Sequence, residues 1–562
     1  MPDKKKLDSS ASPQGYPDVA VQAKPEKSRF DPYEMPPEAV QDPPTSLWTA
    51  LRQIGPGIIL AGTIVGSGEL LLTTSLGARQ GFIFLWLILF SCVIKVFVQT
   101  ELGRYAISSG KPTLGAINEL GGPHFGAHWI VWWWFVMMAS TIFQLGAMTG
   151  TVGQSLNLAF PQASIQLANS VEGILPALSK SILDRPEYPW AILTCITAIA
   201  LLWSGNYRRI EIVTTFLVVS VTLLTVTATC ALPFTDYPIR WGEVAQGLTF
   251  QLPKEQAPKD EQSTKDEQTP KGEQAPKDDE SPKQDQSPKG DQTPKDEQEP
   301  KSQAPKSQLP SDAIMVAFGV FGITGVGATE LFYYPYWCLE KGYARYTGQQ
   351  QPTAAWEHRA KGWIRVMYLD AWVSMVVFTI STLAFYFMGA AVLYPQGLNP
   401  QGKDMIETLS KMFTGTFGTW TQLVFLIGAA AVLFKTLYLA SAGNGRLIAD
   451  FLVLNKAVEY TAPGQRSRVI QRVSVLIPII ALVLFLCFKE PKFMVVVGGF
   501  GQALTLPIIS ATTLYFRYRK LDRRLTPSLL IDICLWVAFV SITAVAVYAL
   551  RNQIETLVWP KK

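Results

Sequence analysis

Two glutamates stand where an apolar stretch is interrupted. Glu69 follows Gly66, Ser67 and Gly68 within IGPGIILAGTIVGSGELLLTTSLGARQG. Glu330 follows Gly319, Gly322, Gly325 and Gly327, then Ala328 and Thr329, within AIMVAFGVFGITGVGATELFYYPYWCL. Glycine lowers helix propensity and permits an unwound turn. Unwound backbone frees carbonyl oxygens and half-helix ends, so a carboxylate beside such a break adds hard oxygen to a cation site. At this depth it costs roughly 2.5–3.5 kcal/mol on insertion scales unless it meets a cavity or a partner. The competing reading is structural, with glycines for close helix packing and glutamates in polar pockets. Matched breaks in two halves of a chain favour a central transport site.

The elements that must hold these residues are membrane helices. The chain has 562 residues, 48% hydrophobic and 17% charged, with a formal net charge of +5. Apolar runs of roughly 18–25 residues suit a hydrocarbon core of ~30 Å, and in lipid such runs must be helical. Eleven spans are expected, near 54–78, 82–104, 128–159, 188–204, 210–233, 312–338, 363–390, 418–452, 470–488, 493–516 and 529–550. The fold class is therefore an all-α integral membrane protein, multi-pass in a bacterial inner or plasma membrane. An odd count fits two repeats of five helices plus one.

The short loops holding Arg208 and Arg209, Lys341 to Arg365, Lys456 to Arg472 and Arg517 to Arg524 fall on one side, read as cytoplasmic. The N-terminus then lies inside and the C-terminus outside. Residues 1–46 read as a disordered cytoplasmic tail without the features of a signal peptide. Residues 47–253 carry helices one to five and residues 309–562 carry helices six to eleven. Between them, residues 254–308 hold ten lysines against fourteen acids and almost nothing apolar. This is an expanded extracytoplasmic insertion that cannot bury a core. Membrane lipid and a metal ion or small solute are the expected partners, and the modest charge argues for no nucleic acid.

Other groups compete for attention. Six scattered cysteines show no zinc or disulfide spacing. His124 and His128 would share one face of a helix, yet lack a third ligand. Lys435 lies inside an apolar span and needs a partner or a route to a polar edge; Lys95 is similar. Asp370 is an acid within span seven and Asp450 lies nearer the end of span eight, both open to an ion-path role. Trp132, Trp133 and Trp134 look like an interfacial belt.

At Gly55–Gly57 and Gly66–Glu69 the sequence resembles the NRAMP family of divalent-metal transporters, in its divergent NRAMP-related branch. The likeness runs on through Gly77, Ala78, Gly81, Trp86, Gly103, Arg104 and Ser109–Gly110. It returns at Gly327–Thr329 and at Ala442–Asn444. The resemblance implies a LeuT-type fold of two inverted five-helix repeats, with the site at the breaks of helices one and six, and proton-coupled uptake of ions such as manganese or iron. The family's metal-binding Asp falls on Gly66 and its Asn on Glu69. Its methionine falls on Leu331, its following histidine on Tyr333, and its proton-relay acids on Gln144 and Ala147. Thr505 lies where the family has a metal-contacting Gln.

Losing a thioether shifts preference toward Mg²⁺- or Mn²⁺-like ions held by oxygen. Losing the relay implies weak or absent proton coupling. The expected function is secondary transport of a divalent cation. Glu69, Glu330, Gly66, Ala328 and Thr505 would form the site, with Lys435, Gln144, Tyr333 and Leu331 as modulators. No catalytic residues and no bound cofactor are expected. The alternatives are transport of an amine or amino acid on the same fold, with Lys435 and the tyrosines lining a pocket, or a non-transporting receptor.

Overall fold

The computed structural model describes residues 33, 35–66, 68–173, 176–203, 207–250, 317, 319–400, 405–417, 420–462 and 464–558. The expected insertion over 254–308, most of the N-terminal tail and Ser67 lie outside the described residues.

Helix α1 (Pro56–Ile64) begins with proline in its first turn, where the missing N–H costs nothing. Its first amides meet the Asp370 carboxylate: Gly55 donates to Oδ1 at 2.8 Å and Gly57 to Oδ2 at 2.6 Å. The helix stops at Val65, whose ψ of 80° is not helical. After the break a π-helical stretch, Gly68–Thr73, leads into α2 (Thr74–Gln80), bent by 40° from α1. Helix α3 (Leu85–Ser109) ends at Gly110, which takes the left-handed conformation at φ 71°. Helix α4 (Trp129–Ala159) is followed by α5 (Tyr188–Leu202) and α6 (Tyr207–Ala231).

The second half repeats the opening. A helical stretch over residues 319–323 breaks at 324–327 and resumes as α7 (Ala328–Lys341). Then come α8 (Ala354–Met388), α9 (Trp420–Leu454), α10 (Gln465–Phe488), α11 (Pro491–Tyr515) and α12 (Leu529–Val558). Helix α4 forms one side of the core against α9, α10 and α11, while α1 lies among α6, α7, α8 and α9.

The helices follow the expected spans with shifted ends. Among the described residues seven helices are long and apolar enough to cross a membrane, or eight with the bent α1–α2 pair. Helix α5 has 15 residues and α7 has 14, the latter because its span is divided at the break. Helix α8 starts nine residues before the expected 363, since its first turns carry Glu357, Arg359 and Lys361 and do not register as apolar.

The packed structure also begins before residue 47. Gln41 donates its N–H to the Tyr346 carbonyl at 3.0 Å and accepts from the Trp363 indole at 2.9 Å. Tyr33 bonds Asp450 and Arg466. His124 and His128 oppose each other across a two-residue β-ladder rather than along a helix, and His128 caps α4. Of Trp132, Trp133 and Trp134 near the start of α4, the first two are exposed and Trp134 is fully buried.

Candidate substrate site at the helix breaks

At the first break, the Gly66 amide donates to Glu69 Oε2 at 3.2 Å. The other oxygen, Oε1, is buried and accepts no hydrogen bond from any described residue. The Gly66 carbonyl is already taken by the Leu70 amide at 3.0 Å. The carbonyl left at the end of α1 is Val65, and Lys435 Nζ donates to it at 2.7 Å. Glycine is required at 66 by close approach, since a Cβ there would lie 2.1 Å from Thr436 Oγ1 on α9.

The second break is built alike. Gly325 has φ +68° and rests on α3, where a Cβ would lie 2.9 Å from the Cys92 Cα. Lys95 Nζ donates to the Phe321 carbonyl and, at 2.8 Å, to the Thr324 carbonyl. Ser91 Oγ donates to the same two oxygens at 3.1 and 2.9 Å. The Thr73 and Thr324 hydroxyls, 3.2 Å apart, join the two breaks. Both lysines thus meet carbonyl ends of half-helices, and both glutamates lie in the first turn after a break. Each charge opposes the partial charge of its half-helix end.

Between the breaks lies a cavity of about 40 Å³, room for one dehydrated ion or a very few waters. Its polar lining includes Thr63, Thr141, Gln144, Thr329, Glu330, Thr436 and Gln502. Glu330 is only partly buried and faces Thr63. Gln502 Nε2 donates to Gln144 Oε1 at 3.1 Å, which turns its own oxygen away from Gln144. A Cβ placed on Gly327 would lie 2.5 Å from Glu330 Oε2 and 2.5 Å from Gln502 Oε1. Both oxygens therefore flank the same face of Gly327, close enough to one another to share an oxygen-ligated cation beside it. Among the described residues no three His, Cys, Asp or Glu side chains gather as a metal cluster, so amide, hydroxyl and backbone oxygens would complete any shell.

Several sequence expectations move. Glu330 and Gln144 reach the cavity. Glu69 instead folds back on Gly66, with Lys435 and Glu330 as charged neighbours. Thr505 is not in the lining: it donates to the Gly501 carbonyl and accepts from the Trp133 indole. Gln502, about one helical turn earlier on α11, supplies the amide instead. Leu331 packs in the core, about 100° around α7 from Glu330. The Tyr333 hydroxyl donates to the Ala440 carbonyl at 3.3 Å. Ala328 opens α7, so its carbonyl turns into that helix rather than toward an ion. Asp370 caps α1, and Asp450 belongs to a network with Tyr33 and Arg466. Lys435 and Lys95 do not reach a polar edge, being fully buried at the breaks.

Two broken helices, with polar groups converging between them inside a helical bundle, define a LeuT-type membrane transporter. Mutant forms of the manganese transporter of Eremococcus coleocola have TM-scores of 0.58 and 0.57 to this chain at 13% and 15% identity. They cover 93% of this chain and 91% of that one. MhsT in complex with L-phenylalanine has a TM-score of 0.50 at 12% identity, covering 91% of this chain and 99% of that one. At these identities the likeness shows the fold alone. The sequence pattern of the Nramp family, described as natural resistance-associated macrophage protein-like, matches residues 57–259 and 300–552, and the chain belongs to that family. The divalent metal cation transporter MntH of Mycobacterium tuberculosis is 28% identical over 149 residues, 26% of this chain. The match spans about a third of that relative's length, at 33%.

Proposed function

We propose that this protein is a secondary transporter of divalent cations of the Mn²⁺ or Mg²⁺ kind, with weak or absent proton coupling. The observation that carries this reading is the convergence of Glu330 Oε2 and Gln502 Oε1 beside Gly327. Oxygen ligands alone favour hard ions. Weak coupling is supported by Gln144, an amide committed to Gln502, at the position where the family resemblance implies a relay acid. The breaks would move with their half-helices against the rest of the bundle during alternating access. The cation-rich loops support a cytoplasmic N-terminus and an external C-terminus, with the 254–308 insertion outside.

The test is uptake of Mn²⁺ and Mg²⁺ by proteoliposomes, with and without an imposed pH gradient. Uptake that Glu330→Gln cuts by about tenfold or more, and that the gradient barely changes, supports the proposal. Absence of uptake of any common divalent ion sinks it. A second reading, transport of a small amine or amino acid, is favoured by the charge balance at the breaks, where Lys95 and Lys435 offset Glu69 and Glu330. Stabilisation of the protein by such a solute and by no divalent ion would select it.

A further inference from the structure

Unwound carbonyls and the carbonyl ends of half-helices are where transporters with broken helices bind their coupling cations. Here those ends already carry positive charge from the chain itself. Val65, the last residue of the first half-helix, accepts from Lys435 at 2.7 Å. Phe321, in the last turn before the second break, and Thr324, the first residue of the break, both accept from Lys95, whose ammonium also lies 4.7 Å from the Phe321 ring centre. Each lysine reaches across from a neighbouring helix, α9 in one case and α3 in the other, and each is fully buried. The same geometry occurring twice, on unrelated neighbours, sets it apart from an incidental buried lysine.

We propose that Lys435 and Lys95 are tethered cations, occupying the positions at the two breaks that an inorganic coupling ion would otherwise fill. The ammonium neutralises the half-helix end and compensates the nearby carboxylate, Glu69 for Lys435. The break therefore keeps its charge balance in every state of the cycle without recruiting Na⁺ or K⁺. Removing the Lys435 side chain would free the Val65 carbonyl at the break, with the Glu69 carboxylate nearby to attract a cation in its place. Such a site suits a small monovalent cation. The inference stands on the fold and the two lysines, and does not depend on the identity of the transported substrate.

The experiment is thermal melting of the purified full-length protein over a NaCl series, balanced to constant ionic strength with N-methylglucamine chloride, and repeated with ethylammonium chloride. Wild type is expected to show no cation dependence. Lys435→Ala is expected to melt lower, with a melting temperature that climbs with the logarithm of Na⁺ or ethylammonium concentration. Lys435→Met, which refills the space with an apolar stem, is expected to stay flat. Lys95→Ser provides the same readout at the second break should Lys435→Ala yield no folded protein. A wild-type melting temperature that rises with Na⁺ overturns the proposal. So do lysine-to-small variants that ignore every cation, or a Lys435→Met response equal to that of Lys435→Ala. None of these readouts involves a divalent ion, so they are independent of the transport assay.

Discussion

Glu330 Oε2 and Gln502 Oε1, from α7 and α11, point at one position 2.5 Å from each. That position is where Gly327 would carry a Cβ. Gly327 has φ −77° and ψ 173°, open to any residue, so the lack of a side chain there reflects space rather than backbone strain. Gly327→Ala is expected to fold normally and to lose divalent-cation binding by about tenfold or more, equivalent to ~1.4 kcal/mol. Calorimetric titration of the variant with Mn²⁺ checks it, and unchanged affinity would remove the cradle from the site.

Glu330 and Glu69 are expected to separate in their effects. Glu330→Gln takes away the charge facing the cavity and should cut cation uptake by about tenfold or more, with a small change in melting temperature. Glu69→Gln removes a charge near Lys435, whose ammonium bonds the Val65 carbonyl rather than Glu69, so it should cost less than the roughly 3–5 kcal/mol of a broken direct buried ion pair. The double variant Glu69→Gln, Lys435→Met is expected to recover part of that loss. Chemical denaturation of the four proteins of the cycle gives the coupling, and strict additivity would show that the two residues act apart.

Asp370 holds the first amides of α1, so Asp370→Ala should lower stability by about 2 kcal/mol, the upper end for loss of a helix cap. Because α1 ends at the site, cation affinity should fall with it. A stability change without an affinity change would confine Asp370 to the fold.

A buried cluster ties α7 to α9 and α10. Arg446 Nε lies 2.8 Å from Glu340 Oε1, and Arg466 lies 3.5 Å from Glu340 and from Asp450. Arg446→Ala is expected to destabilise by roughly 3 kcal/mol or more through the carboxylate it leaves behind. Tyr33→Phe, which keeps the ring over Arg466 and loses the hydroxyl, should cost only about 1 kcal/mol. Melting curves of the two variants side by side check the ranking.

The sequence alone determined the membrane class and the two breaks, because apolar length and glycine placement act locally. A run of apolar residues must be helical in lipid, and glycines ahead of an acid mark where that helix opens. Glu330, singled out at the second break, and Gln144, singled out by the family resemblance, both line the cavity. The sequence could not assign partners across the bundle. Gln502 and Thr505 differ by three residues on α11, and only the rotation of that helix against α4 and α7 decides which faces the cavity; a glutamine one turn before Thr505 was the available signal. Asp370 reads as an intramembrane acid in isolation, and its role as a cap exists only because α8 passes the start of α1 across 313 residues of chain. Lys435 and Lys95 read as lysines in search of a polar edge. Tertiary packing gave each a carbonyl end to meet, since the hydrogen-bond demand of a broken helix is created by folding and appears nowhere in its own residues.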